Sequence, residues 1–268
     1  MASPLDVFRT DALKGHVAIV TGGGTGICRG IATAYARLGA DVCIVSRKQD
    51  VLDLAAKEIG DATGRTILGV AADVRQPDTI AKVVSATADK FGKVDTIVNG
   101  AAGNFLAPAA GLSPNGFRTV IDIDLNGTFN MSRAAFEVLQ KAGNGFILNI
   151  SATLHYHGTP LQIHASAAKA GIDAITKNLA VEWGRFGIRV CGIAPGPIGD
   201  TEGMRRLAPG DMGSKITAQI PAGRFGFIDE IAASAVFLRS SGAAYITGHT
   251  LVVDGGHCVA TPPLGGTF

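Results

Sequence analysis

The fold of this chain is decided by the stretch His16-Val-Ala-Ile-Val-Thr-Gly-Gly-Gly-Thr-Gly-Ile27. Its first six residues form an apolar run typical of a strand buried on both faces, and the run leads directly into a glycine-rich turn. A helical pattern, Ile31-Ala-Thr-Ala-Tyr-Ala36, follows. Glycines in such a turn let the backbone approach a pyrophosphate, and the helix N-terminus supplies N–H donors. The stretch therefore predicts a dinucleotide site formed by Gly22, Gly23, Gly24, Thr25, Gly26 and Ile27.

The alternation of strand and helix patterns continues along the chain. Further short runs rich in Val and Ile lie at residues 41–46, 66–71, 95–99, 145–151, 188–193 and 250–253. The segments between them, such as residues 79–91 and 172–183, have the three- and four-residue apolar spacing of a helix. The pattern predicts one α/β domain over residues 1–268, a Rossmann-like doubly wound parallel sheet of about seven strands. Ligands bind beyond the carboxyl ends of the strands in such sheets.

One segment after the sixth predicted strand interrupts this alternation. Residues 195–224 are rich in Gly and Pro and contain two short helical patterns, at 202–207 and 215–219. Long irregular segments inside compact domains often form lids or binding loops. Because this segment directly follows a strand, we expect it to be a lid over the ligand site.

Composition and charge argue against several classes of protein. With 268 residues, 47% of them hydrophobic and 17% charged, the chain can bury one large core. A net charge of +2 and the lack of long basic runs argue against a nucleic-acid partner. No apolar run reaches the roughly 18 residues of a membrane span, so we expect no membrane partner. The four cysteines lack CxxC and zinc spacings, which predicts reduced thiols and no metal site.

The residues after the second predicted strand indicate which dinucleotide binds. Enzymes that use NAD place Asp or Glu there, against the ribose hydroxyls. This chain has Ser46-Arg47-Lys48 instead, and a guanidinium beside a hydroxyl suits a 2′-phosphate. We therefore predict NADPH, bound by Arg47 and Lys48. Asp73, after the third strand, can accept from the adenine amino group, and Asn99 to Gly103 can line the adenosine side.

Several longer motifs resemble those of one enzyme family. They are Asn99-Gly-Ala-Ala-Gly-Asn-Phe105, Ile123-Asp-Leu-Asn-Gly-Thr-Phe129, His164-Ala-Ser-Ala-Ala-Lys-Ala170, Ala180-Val-Glu-Trp-Gly184, Ala194-Pro-Gly-Pro-Ile198, Thr201-Glu-Gly-Met-Arg-Arg-Leu207 and Asp254-Gly-Gly256. Across residues 13–256 the chain resembles the short-chain dehydrogenases/reductases, and among them the peroxisomal type of 2,4-dienoyl-CoA reductase. The catalytic Ser and Tyr positions of that superfamily hold Ala152 and Ala165, whereas its Lys is retained as Lys169. Cys28 replaces the third glycine of the dinucleotide motif, which predicts a displaced helix or an accommodated thiol.

The missing phenol and the resemblance together imply reduction of a conjugated double bond. The implied reaction is the NADPH-dependent conversion of a 2,4-dienoyl-CoA thioester to a 3-enoyl-CoA. Hydride addition at C5 leaves a dienolate, which needs hydrogen-bond donors at the thioester oxygen and a proton at C2. By resemblance Asp124 and Asp254 are catalytic, and a carboxyl whose pKa is raised by burial and a like-charged neighbour can supply that proton. Tyr156 is the alternative acid.

The resemblance also implies roles for other residues. Lys169 is expected to bind the nicotinamide ribose and to add positive field, and Asn126 to donate to the thioester oxygen. Further cofactor contacts are expected from Pro195, Gly196, Ile198 and Thr201. The expected substrate contacts, among them cations for the CoA phosphates, are Arg47, Arg75, Phe105, Ser113, Asn115 and Arg206, with Arg205 assisting.

Assembly and location are expected from the same resemblance. The expected partners are an acyl-CoA thioester and further copies of the chain in a homotetramer, paired through helices at residues 115–141 and 162–183. The expected compartment is the peroxisome. The cytoplasm is the alternative, because the chain ends in Gly266-Thr-Phe268 rather than a Ser-Lys-Leu-like tripeptide.

Two other functions are compatible with the sequence. One is an NADPH-dependent reductase of another conjugated acyl or polyketide-like substrate, since the sequence does not measure pocket length. The other is a non-catalytic dinucleotide-binding or scaffold protein, which the missing Tyr and the altered glycine motif make conceivable. The retention of Lys169 together with Asp124 argues against the second alternative.

Overall fold

A seven-stranded parallel sheet forms the centre of the computed structural model, which describes residues 3–201, 203–204 and 212–260. The strands are β1 (Val17–Thr21), β2 (Asp41–Ser46), β3 (Ile67–Ala71), β4 (Thr96–Asn99), β5 (Phe146–Ile150), β6 (Arg189–Pro195) and β7 (Thr250–Val253). Their order is β3-β2-β1-β4-β5-β6-β7, and every neighbouring pair is parallel. The predicted fold class is confirmed, and the strand boundaries lie within two residues of the predicted ones.

Helices cover both faces of this sheet. They are α1 (Gly26–Arg37), α2 (Gln49–Thr63), α3 (Pro77–Phe91), α4 (Pro114–Ile121), α5 (Gly127–Ala142), α6 (Leu154–His157), α7 (Ile163–Trp183), α8 (Met212–Thr217) and α9 (Ile228–Arg239). Buried residues of α1, α2 and α9 form one core layer, and those of α3, α5 and α7 form the other. Along β1, Ala18 and Val20 face the first layer and Ile19 faces the second. Burial on both faces explains why the strands are continuous apolar runs.

The order of the sheet reverses between β1 and β4, which is where ligand crevices form in doubly wound sheets. The Thr21 hydroxyl connects the two strand ends, because it donates to the carbonyl oxygen of Val98 at 3.3 Å. The same hydroxyl accepts from the N–H groups of Gly100 and Ala101 at 3.0 and 3.2 Å. The glycine turn after β1 and the segment after β4 therefore lie side by side.

Helix α7 is longer than the sequence pattern predicted. It begins at Ile163, whereas the apolar spacing predicted a start at residue 172. The added turns, His164-Ala-Ser-Ala-Ala-Lys-Ala-Gly171, are dominated by Ala, which favours helix strongly but carries little apolar periodicity. The apolar spacing alone therefore underestimates this helix, whereas the helix at residues 162–183 implied by the resemblance agrees with the structure to within one residue. Within the described chain, no helix is both long and apolar enough to cross a membrane.

The predicted lid is described in part. The helical pattern at 202–207 falls largely outside the described residues, and α8 covers Met212–Thr217 where the pattern predicted 215–219. At the start of the segment the Gly196 N–H donates to the carbonyl oxygen of Val253 at 3.0 Å. Further along, Ile198 forms an isolated bridge with Gly226. The two ends of the segment are therefore attached to each other and to the end of β7.

Candidate active site

A cavity of about 250 Å³ lies beyond the carboxyl ends of β1 to β4. Its lining includes predicted cofactor residues from three separate segments: Gly22, Gly24, Thr25, Arg47 and Asp73. Ser46 and the residues that follow β4 complete the same wall. The structure therefore brings the glycine turn and the segments after β2 and β3 to one place, the edge of the sheet where the fold predicts a ligand.

The glycine turn has no room for side chains at its first two positions. A Cβ on Gly22, whose φ is +73°, would lie 2.8 Å from the carbonyl oxygen of Gly100. A Cβ on Gly23 would lie 2.8 Å from the carbonyl oxygen of Val20. Helix α1 begins directly behind the turn, at Gly26, and the N–H groups of a first helical turn have no partner within the helix. A bare backbone wall beside a helix N-terminus fits the pyrophosphate of a dinucleotide.

Cys28 on α1 occupies space that Gly100 leaves open. A Cβ on Gly100 would overlap Cys28 Sγ, so a thiol on the helix packs against a glycine after β4. Burial raises the pKa of Cys28 to about 12, which keeps the thiol protonated at neutral pH. Of the two outcomes expected for this substitution, the structure shows the accommodated thiol.

The predicted adenosine end of the cavity is strongly charged. Arg75 Nε and Nη2 lie 3.0 and 2.5 Å from the two carboxylate oxygens of Asp73. The hydrogen bonds from Arg75 lower the pKa of Asp73, so this carboxylate is ionised. Arg47 and Lys48 are exposed, and Arg47 lines the cavity. Asp73 therefore pairs with Arg75, which is predicted to contact the substrate, near Arg47 and Lys48, which are predicted to bind the 2′-phosphate.

Asn99 is the last residue of β4 and lies in the interior, just before the residues that line the cavity. It is buried, and its Nδ2 donates to Ser132 Oγ at 3.0 Å and to Asn149 Oδ1 at 2.9 Å. Asn149 in turn donates to Thr176 Oγ1 on α7 at 2.9 Å. These hydrogen bonds join β4, β5, α5 and α7, and so fix the strand ends that carry the site. The cofactor contact of Asn99 stays a prediction.

Asp124 and Lys169 form a buried ion pair at the same edge of the sheet. Asp124 is 1% exposed, and its Oδ2 lies 3.2 Å from Lys169 Nζ. Its Oδ1 accepts from the N–H of Gly103 at 2.7 Å. Lys169 Nζ also donates to the carbonyl oxygen of Ile150 at 3.0 Å. Because each charge has partners, the pair is held in one arrangement between α7 and the segment after β4.

One turn of π-helix, Asp122–Asn126, positions this carboxylate between α4 and α5. Such turns insert an extra residue into a helix and are frequent at functional sites. Here the turn buries Asp124 and leaves Asn126 exposed, with Asn126 Nδ2 donating to Asp122 Oδ1 at 2.8 Å. The structure therefore does not bring Asn126 into contact with the Asp124–Lys169 pair. Its role as a donor to the thioester stays a prediction.

Asp254 organises the turn that follows β7. Its Oδ1 accepts from the N–H of Gly256 at 2.9 Å, and its Oδ2 accepts from the N–H of Cys258 at 2.7 Å. Burial acts to raise the pKa of Asp254, but these backbone donors outweigh it and bring that pKa below its usual value. The charged group that contacts Asp124 is Lys169. Cooperation between the two carboxylates stays a prediction, and the pKa of Asp254 is not of the raised kind expected of an acid.

Tyr156, the alternative acid, is held by Asp173. Its hydroxyl donates to Asp173 Oδ2 at 2.8 Å, and His155 Nε2 lies 2.9 Å from the same oxygen. The other carboxylate oxygen of Asp173 accepts from Thr250 at 3.1 Å. Burial and the neighbouring carboxylate raise the pKa of Tyr156, so the phenol keeps its proton for Asp173.

The predicted substrate residues on the other side of the site come from the segment after β4 and from α4. Phe105 is 41% exposed, and its ring packs edge-on against His164 with the centroids 4.4 Å apart. Ser113 caps α4, where its Oγ accepts from the N–H of Gly116 at 3.0 Å. Asn115 is exposed in the first turn of that helix. Arg205 and Arg206 lie outside the described residues.

The predicted cofactor residues at the end of β6 and after it begin next to Asp254. Pro195 ends the strand, and a Cβ on Gly196 would lie 2.5 Å from Asp254 Cβ. Ile198 is buried, and Thr201 Oγ1 donates to its carbonyl oxygen at 2.9 Å. The contacts of these four residues with a cofactor stay predictions.

Two residues of this region were given no role in the chemistry from the sequence. Gly103, which was expected only to line the adenosine side, lines the cavity and also supplies a backbone N–H to Asp124. His164 is completely buried beside Phe105 and directly precedes Ala165. It went unnoticed because the resemblance assigned nothing to it. Among the described residues there is no cluster of three or more side chains that could hold a metal ion.

Comparison with known protein families and sequences identifies clear relatives. A family model described as enoyl-(acyl carrier protein) reductase matches residues 22–258. A peroxisomal 2,4-dienoyl-CoA reductase ((3E)-enoyl-CoA-producing) of Arabidopsis thaliana is 47% identical over 264 residues, 95% of this chain and 88% of that protein. The protein of the same name in Danio rerio is 48% identical over 252 residues, 93% of this chain and 84% of that protein.

Solved structures show the same fold. A short chain dehydrogenase from Bacillus anthracis is 43% identical, with a TM-score of 0.85 over 94% of this chain and 100% of that one. A gluconate 5-dehydrogenase from Burkholderia cenocepacia, in complex with NADP and tartrate, is 27% identical. Its TM-score is 0.88 over 94% of this chain and 99% of that one.

Proposed function

Because this chain belongs to the short-chain dehydrogenase/reductase family, whose enoyl reductase model it matches over residues 22–258, we propose that it is an NADPH-dependent 2,4-dienoyl-CoA reductase that releases a 3-enoyl-CoA. The chain is an oxidoreductase with a Rossmann fold, which binds a nicotinamide dinucleotide. The substrate class is supported by relatives that carry this activity in their names and are 46–48% identical over most of this chain.

One observation in the site carries the proposal: the buried Asp124–Lys169 pair stands in a site whose acid position holds Ala165. Reduction of a ketone needs a proton at oxygen, which the missing phenol would have supplied. Reduction of a conjugated thioester needs a proton at carbon and a stabilised negative charge at the thioester oxygen. A positioned carboxyl beside a fixed ammonium suits the second requirement.

The dinucleotide is held by the residues around the 250 Å³ cavity. The glycine turn and the start of α1 receive the pyrophosphate, and Lys169 receives the nicotinamide ribose. Arg47 and Lys48 receive a 2′-phosphate, because two cations stand where an NAD enzyme has a carboxylate. The bound nicotinamide supplies the hydride.

The protein's own groups control charge and the proton. Hydride addition at C5 moves the C4=C5 electrons to C3=C4 and the C2=C3 electrons toward the thioester, giving the dienolate. Lys169, fixed by Ile150 and Asp124, provides positive field for that charge. A proton then adds at C2 from a water that the ionised Asp124 carboxylate holds, and solvent returns a proton to the hydroxide that is left. The product is a 3-enoyl thioester, and one hydride and one proton have been consumed.

Compartment and assembly follow the similar enzymes. We place the protein in the peroxisome, as the names of those relatives do for them, and we expect a homotetramer. Light scattering of the purified protein tests the assembly, since a tetramer has four times the mass of the 27.4 kDa chain.

The activity is tested by the loss of NADPH absorbance when a 2,4-dienoyl-CoA is added. A 2-enoyl-CoA and a 3-ketoacyl-CoA of the same chain length serve as controls. We expect turnover of the dienoyl-CoA and no turnover of either control. Turnover of the ketoacyl-CoA, or a lack of turnover with dienoyl-CoA, would overturn it.

A further inference from the structure

His164 is a fully buried polar side chain without a partner. Its exposed fraction is 0%, and neither ring nitrogen has a hydrogen-bond partner among the described residues. A buried polar group that lacks a partner costs roughly 1–3 kcal/mol, and such groups are rare in folded proteins. A leucine of similar volume would avoid that cost. The ring therefore lowers stability where it stands, which is the pattern expected of a residue kept for function.

The position of His164 connects it to the proposed active site. It lies in the first turn of α7, directly before Ala165 and on the same helix as Lys169. Its ring meets the Phe105 ring at 83°, with centroids 4.4 Å apart. Phe105 belongs to the segment in which the N–H of Gly103 binds Asp124. His164 therefore lies on the buried side of the segment after β4, whose Gly103 contacts the Asp124–Lys169 pair.

Three other side chains of this region that carry an N–H or O–H donor already make a hydrogen bond. Asn104 Nδ2 donates to Gln162 Oε1 at 2.6 Å, and Asn126 Nδ2 donates to Asp122 on an exposed surface. The Tyr156 hydroxyl donates to Asp173. An imidazole carries at least one N–H in either of its ordinary protonation states. Among these four side chains, His164 is the one that makes no hydrogen bond within the described protein.

We propose that His164 contacts the substrate and donates a ring N–H to the thioester oxygen, and that Phe105 is the cover that the acyl thioester displaces. The half-exposed Phe105 ring packs over the imidazole, so its rotation uncovers the donor. The hydrogen bond strengthens as negative charge develops on that oxygen, which makes it an aid to the reaction and not merely to binding. This inference rests on the proposed dienoyl-CoA reductase activity.

Two substitutions at position 164 and one control test the inference. His164→Leu removes the donor at similar volume, and His164→Gln keeps one. Thr87→Val is the matched control, because Thr87 is also fully buried in a helix but lies on α3, outside the residues assigned to the site, and donates to the carbonyl oxygen of Val83. For each variant, kcat and KM for dienoyl-CoA, the Kd of NADPH and the Tm are measured.

His164→Leu is expected to lower kcat by roughly 10²–10³-fold, as removal of an oxyanion donor does. Its Tm should equal or exceed that of the wild type, and its Kd for NADPH should not change. His164→Gln should recover most of the lost rate. Thr87→Val should show the opposite pattern, a lower Tm with kcat retained, because it removes a buried hydrogen bond that is not part of the site.

The inference is overturned if His164→Leu keeps kcat within about twofold of the wild type. It is also overturned if rate and Tm fall together and His164→Gln restores neither, since His164 would then be a packing residue. A wild-type protein that does not reduce dienoyl-CoA would instead overturn the proposed function, and the inference with it.

Discussion

Asp124 is the residue on which the proposed chemistry depends most. Its carboxylate is buried, and it is held from one side by the backbone of Gly103 and from the other by Lys169. We expect Asp124→Asn to cut turnover of dienoyl-CoA by about 10²–10⁴-fold, the usual contribution of general acid catalysis. Binding of NADPH, followed by fluorescence, should stay nearly intact, because Asn keeps a side-chain oxygen that can accept from the Gly103 N–H and so preserves the backbone that lines the cavity.

Tyr156→Phe is the matched control for that substitution. The Tyr156 hydroxyl donates to Asp173, so its loss should leave turnover within about threefold of the wild type. An active Asp124→Asn enzyme together with an inactive Tyr156→Phe enzyme would move the proton donor to the segment after β5 and contradict this assignment.

Arg47 is expected to set the choice between NADPH and NADH. Arg47→Ala removes a cation from the cavity wall, and a charge-assisted contact with a phosphate is worth about 1.5–3 kcal/mol. The Kd of NADPH, measured by calorimetry, should therefore rise by roughly ten- to a hundredfold, while that of NADH hardly changes. Arg9→Ala removes an exposed arginine paired with Asp11 and serves as the control. A wild-type enzyme that already prefers NADH would refute the assignment.

At the scale of single elements, the contact between α1 and the segment after β4 depends on one pair of residues. A Cβ on Gly100 would overlap Cys28 Sγ and would also lie 3.3 Å from Ile150. Gly100→Ala should therefore lower the Tm and weaken NADPH binding, because it pushes α1 away from the turn that receives the pyrophosphate. Thermal unfolding with and without NADPH measures both effects.

The rescue of that variant is the stronger test. Cys28→Gly by itself should bind NADPH at least as well as the wild type, and Cys28→Gly combined with Gly100→Ala should recover part of the lost Tm. If the double variant is less stable than Gly100→Ala alone, the thiol has a packing role beyond its contact with Gly100.

The elements also show what the sequence can and cannot predict. The strands were predictable because each is a continuous Val- and Ile-rich run, and Arg47 and Asp73 were predictable because they directly follow such runs. The start of α7 was not predictable from periodicity, since its first turns are Ala-rich, and only the resemblance implied a helix from residue 162. The π turn was also unforeseen, because α4, the turn and α5 are continuous in sequence. That turn decides that Asp124 is buried and Asn126 exposed.

The roles of side chains that depend on contacts with residues distant in sequence were also not predictable. Lys169 and Asp124 could be named from their motifs, but their pairing at 3.2 Å could not. His164 lies in a motif in which the sequence assigned a role to the lysine alone. The structure was needed to show that its buried ring has no hydrogen-bond partner among the described residues. Asp254 was named from a motif, and its backbone donors then gave it a lowered pKa.

Across the whole molecule, the edge of the sheet opposite the active site is held by a charged cluster. Asp95 is fully buried at the start of β4, and it pairs with His16 at 3.2 Å, Lys93 at 2.9 Å and Arg239 at 3.3 Å. Burial acts to raise the pKa of Asp95, but these three partners lower it well below the usual range. The cluster ties β1, β4 and α9 together, far from the residues proposed for catalysis.

Because the pKa of Asp95 is lowered in the folded protein, the contribution of Asp95 to stability depends on pH. The stability from Asp95 is fully present above its unfolded pKa of about 3.9 and is lost as the pH falls through its folded pKa. Asp95→Asn should therefore reduce the free energy of unfolding by about 3–5 kcal/mol at pH 7, and the difference from the wild type should shrink below about pH 4. Urea unfolding at several pH values measures this. A difference that grows in acid would contradict the role given to Asp95, and Asp61→Asn, in an exposed pair with Lys57, is the control.

Locating the two hydrogens that enter the product tests the proposed reaction, hydride addition at C5 and protonation at C2, most directly. The wild-type enzyme is given a 2,4-dienoyl-CoA with deuterium-labelled NADPH in H₂O, and in parallel with unlabelled NADPH in D₂O, and the products are examined by NMR. We expect a 3-enoyl-CoA that carries the cofactor's deuterium at C5 and the solvent's deuterium at C2. A 2-enoyl-CoA with solvent deuterium at C4, or the absence of any reduced product, would contradict it.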